Sequence, residues 1–130
     1  MRALFCLLLI LPGIAAATPC DGLDRSKSLG GNTQVAELIA KQRQLDKLEI
    51  LGSISSGGWT VIHAQPAHAE ALYLFYAGDI ASSSAVAEWS GAAAPDEAQQ
   101  IRAWTLQKVP GIPPLLADCF AARVSERNAL

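Results

Sequence analysis

The chain has 130 residues, 51% of them hydrophobic, and its 10 basic and 12 acidic residues leave a net charge of −2. That length suits one domain with its own core. The near balance of charge, with no block of one sign, argues against nucleic acid or an anionic membrane surface as a partner.

Arg2 precedes an unbroken apolar run over residues 3–11; Pro12 and Gly13 interrupt it, and Ala15, Ala16 and Ala17 follow. A charged start, a short apolar middle and a small-residue end form the pattern of a secretory signal peptide. The run falls short of the roughly 20 apolar residues needed to cross a bilayer. Cleavage is expected after Ala17, which leaves an exported chain from Thr18 with no membrane span, in the periplasm or outside the cell. Lipid attachment is not expected, because Cys6 lies inside the apolar run and Cys20 directly follows Pro19. Removing residues 1–17 takes away Cys6 and leaves Cys20 and Cys119. Two cysteines in an oxidising compartment imply one bridge between them. Neither lies in a CxxC pair, so thiol–disulfide exchange chemistry is not expected.

Residues 18–32 read as an irregular strap, with Pro19, Gly22, Gly30, Gly31 and Asn32 among scattered charges. The single domain is expected over residues 33–127. Asn32 or Thr33 caps the first helix by accepting from free backbone N–H groups. Val35, Leu38, Ile39, Gln42, Leu45 and Leu48 then share one helical face. Glu37 and Lys41 pair on the outside at i,i+4, and Lys41, Arg43 and Lys47 give that surface a basic bias.

From Glu49 the period changes to two. Residues 49–55 read as a strand ended by Ser56, Gly57 and Gly58. In the next strand, residues 59–65, Trp59, Val61 and His63 point one way and Thr60 and Ile62 the other. Pro66 and His68 belong to a turn. The strand at 70–77 is apolar or aromatic on both faces through Leu72, Tyr73, Leu74, Phe75 and Tyr76, so it is expected to be central and covered on both sides. Gly78 and Asp79 end it. A polar loop over 80–84 leads to a last strand around Val86 and Trp89. Pro95, Asp96 and Glu97 then open a helix, with the two carboxylates at its positive end. Ile101, Trp104 and Thr105 face inward. Pro110, Gly111, Pro113 and Pro114 break the chain before a final helix marked by Leu115, Leu116, Cys119, Phe120 and Val124. The expected fold is α+β: an N-terminal helix, an antiparallel meander of three to four strands and two C-terminal helices, with the helices on one face of the sheet and one disulfide.

Few residues carry recognisable chemistry. His63, His68 and Glu70 have metal-ligand side chains, but a stable site needs three or four converging ligands and no further partner is apparent, so no metal is expected. Asp96 and Glu97 fit helix-end charges, and Asp79 fits a turn. Ser82, Ser83 and Ser84 form a loop run without a base or an elbow. Trp89 and Trp104 read as core. Trp59, expected near a sheet edge, and Ile112, on the proline loop, are the candidate contacts for a partner. The expected function is a small exported non-enzymatic binding module, such as an inhibitor or immunity-type protein, that recognises a protein or small ligand without a cofactor. The rival expectations are a small hydrolase or metal-dependent enzyme using His63, His68 and a carboxylate, and a structural or assembly component of the cell envelope.

Overall fold

The computed structural model describes residues 19–23 and 28–126; the expected signal peptide at 1–17 lies outside them. The elements run α1 (Thr33–Gln42), β1 (Leu48–Ser56), β2 (Trp59–Pro66), β3 (Leu72–Ala77), β4 (Ala87–Ser90), a 3₁₀ turn (Pro95–Glu97), α2 (Ala98–Lys108) and α3 (Pro114–Ser125). The four strands form one antiparallel sheet in the order β1-β2-β3-β4. The α+β meander with two C-terminal helices is therefore the fold. No helix among the described residues is long and apolar enough to cross a membrane.

The helices cover both faces of the sheet, not one. In β3, alternate side chains divide between two cores. Leu74 and Tyr76 join Ile50, Ile62, Ile39 and Ala36 beneath α1. Tyr73 and Phe75 join Val61, Ile101, Leu116 and Phe120 beneath α2 and α3. A strand that is apolar on both sides needs cover on both, because each exposed large apolar side chain forgoes about 1.5–3 kcal/mol of burial.

α1 is capped as expected, with the Asn32 side chain accepting from the Val35 N–H. It ends earlier than its apolar spacing suggests. Gln44 turns into the left-handed region at φ 57°, and the Leu45 N–H then closes back on the Ala40 carbonyl. Leu45 and Leu48 still reach the α1 core, one from the turn and the other from β1.

β1 carries a bulge. Its register against β2 shifts between Ile50 and Gly52, leaving Leu51 as the extra residue. Ile50 therefore points into the α1 core, while Ile54, four residues on, points into the α2–α3 core. In an unbulged strand residues four apart share a face; the extra residue is what sends these two to opposite faces. The β1–β2 hairpin turns through Gly57 and Gly58, at φ 57° and 80°. Both central positions of such a two-residue turn require positive φ, which suits this glycine pair.

Cys20 and Cys119 form the expected disulfide, with Cα atoms 4.6 Å apart and 99 positions between them in sequence. Both are buried in the α2–α3 core. On the opposite side of the strap, the Leu29 N–H donates to Ser53 Oγ at 2.8 Å and the Gly31 N–H to the Ile50 carbonyl at 2.9 Å. The described parts of the strap thus touch α3 at Cys20 and β1 at Leu29 and Gly31. Gly30 sits so close to β1 that a Cβ there would lie 3.2 Å from the Leu51 carbonyl oxygen.

Candidate functional site

Three of the residues with chemical side chains fall in one row across the sheet. His63 pairs with Tyr73 between β2 and β3, and Tyr73 pairs with Trp89 between β3 and β4. The His63 ring lies flat on Tyr73, with centroids 4.3 Å apart and planes 5° from parallel. Phe120 of α3 meets Tyr73 edge-on at 5.2 Å, and Trp104 of α2 meets Trp89 edge-on at 4.9 Å. Burial pushes the His63 pKa below its ordinary value and the Tyr73 pKa above its own, because low-dielectric surroundings disfavour the charged form. His63 Nδ1 and Trp89 Nε1 are buried without a hydrogen-bond partner. The row is an aromatic wall of the α2–α3 core.

The metal-ligand grouping does not converge. His63 is half-buried in mid-strand, whereas His68 and Glu70 are exposed. Among the described residues, no three His, Cys, Asp or Glu side chains are placed to hold a metal ion.

Most of the carboxylates and serines singled out in the sequence have structural partners. Asp79 accepts from the Ala81 N–H and from the Ser82 hydroxyl, and the Ser83 hydroxyl donates to the Asp79 carbonyl. Glu97 accepts from the Ala94 N–H, which fixes the start of the 3₁₀ turn. Glu88 pairs with Arg43, and Asp118 pairs with Arg102 between α3 and α2. Gln42, read from the sequence as one more residue on the inner face of α1, is a junction. Its amide donates to the Ile80 and Ser83 carbonyls and its oxygen accepts from the Tyr76 hydroxyl. That ties the end of α1 to β3 and to the β3–β4 loop.

The two expected partner contacts are placed differently from their sequence reading. Trp59 is half-buried and begins β2, an interior strand rather than an edge. It packs against the α2–α3 core and helps to line a depression of about 460 Å³ with Ser55, Ser56, Thr60 and Gly78. Ile112 is 5% exposed and belongs to that same core. The proline loop turns it inward because the loop docks on the hairpin: a Cβ at Gly57 would lie 3.2 Å from Pro113, and one at Gly111 would lie 3.6 Å from Trp59.

The open surface lies elsewhere. β1 and β4 are the two edges of the sheet. The strap and the Leu51 bulge cover β1, as described. The β4 edge has β3 on one side and, among the described residues, no other strand on the other. Val86, at the start of that edge, is 51% exposed. The sequence pattern puts the last strand at residues 85–90 around Val86 and Trp89; Val86 instead stands just before it, donating its N–H to the Phe75 carbonyl. The available signal was topological, since the last strand of a meander has only one neighbour. No known family model, curated protein or solved structure matches the chain.

Proposed function

We propose that the protein is a small exported binding module, acting without a cofactor, that takes a segment of a partner protein as an added strand on the open edge of β4. The observation that carries the reading is the contrast between the two edges. β1 is bulged and crossed by the strap. β4 has neither device, none of residues 85–90 is Lys or Pro, and the one charge there, Glu88, is paired with Arg43, whereas free charges and prolines commonly blunt an edge. Free backbone N–H and C=O groups along such an edge suit an extended segment, and neighbouring side chains select among segments. Val86 offers an apolar contact beside it. An inhibitor or immunity-type protein needs no more than this: it occupies a surface of its target. Export to the periplasm or beyond is supported by the leader-like residues 1–17 and by the Cys20–Cys119 bridge, since oxidising compartments are where such bridges persist.

The test uses the oxidised protein, with affinity capture from the exporting cell's periplasm and medium followed by binding of the purified captured protein. The variant is Val86→Lys combined with Ser90→Lys, two exposed positions at the β4 edge. The expected result is one enriched protein whose affinity falls roughly tenfold or more in the variant, about 1.4 kcal/mol, at unchanged melting temperature. Equal binding by the variant, or no enriched protein, overturns the reading. A dimer of this chain broken by the same substitutions, with nothing else captured, overturns it in favour of an envelope assembly component.

A further inference from the structure

We draw no further inference here: the strongest candidate, the groove between α1 and the start of β1 floored by Ala36, Ala40, Leu45 and Leu48 and rimmed by charges of both signs, carries nothing because nothing in the structure shows what covers it.

Discussion

Protonating His63 places a charge on a ring stacked flat against Tyr73, with one nitrogen buried and unpartnered. The unfolded chain takes up that proton near pH 6.5, and the folded chain holds it off until a lower pH. Between those two values the unfolded state binds more protons, so stability falls as pH falls through the window. Above pH 6.5 the ring is neutral in both states and adds no pH dependence. Urea midpoints measured from pH 8 downward should therefore begin to drop near pH 6.5, and His63→Phe should flatten that first part of the fall. An unchanged slope in the variant would assign the effect to other groups. Gln42 makes a second local prediction. Gln42→Ala leaves the Tyr76 hydroxyl and two loop carbonyls without their partner, which costs about 1–3 kcal/mol. Adding Tyr76→Phe removes one of the orphaned groups, so the double variant should lose less than the sum of the single ones. A double-mutant cycle by chemical denaturation reads this directly.

The bulge in β1 lets isoleucines four positions apart serve the two cores. Deleting Leu51 closes the extra position and leaves Ile50 and Ile54 three positions apart, on opposite sides of a regular strand and still opposite Ala64 and Val61 of β2. Each core then keeps its isoleucine, 2% exposed in the intact chain. The deletion should therefore leave the domain folded, whereas Ile54→Ala, which empties one core position, should cost about 2–5 kcal/mol. Leu51→Ser keeps the extra residue and changes only a side chain that is 39% exposed; it should melt close to the parent. Circular dichroism on heating separates the two outcomes. The strands and helices themselves are legible in the sequence, because alternation over 59–65 and helical spacing over 115–124 leave little choice. The bulge is not, since Leu48, Ile50 and Ile54 fit one continuous alternation and only the register of the partner strand exposes the extra residue. The end of α1 is masked for a similar reason: Leu45 and Leu48 keep helical spacing after the backbone has left the helix, and both still reach the same core. Two-sided cover is written in β3, where five successive apolar or aromatic residues leave no face for water. The candidate site was legible only in part. Ile112 sits in a proline-rich loop, a context usually exposed, and its burial follows from the docking of that loop on a distant hairpin.

At the level of the whole molecule, the disulfide joins the strap to the last helix across nearly all the described sequence. In the chain-entropy description, a cross-link closing a loop of about 100 residues stabilises by up to about 4.7 kcal/mol. Replacing Cys20 and Cys119 together with serine should lower stability by an amount of that order, read as a drop in urea midpoint. No change would mean that the two cores hold the strap unaided. The edges of the sheet are unequal at this scale as well. One is covered by residues 29–31 and the other is left open among the described residues, so a partner strand would extend the sheet in one direction only. The bridge also sets an order in time. Synthesis runs from the N-terminus, and the 99 positions separating the two cysteines take about 5–20 s to make at roughly 5–20 residues per second. Cys20 exists throughout that interval with its partner still unmade. Closure of the native bridge therefore waits until the last helix has been made.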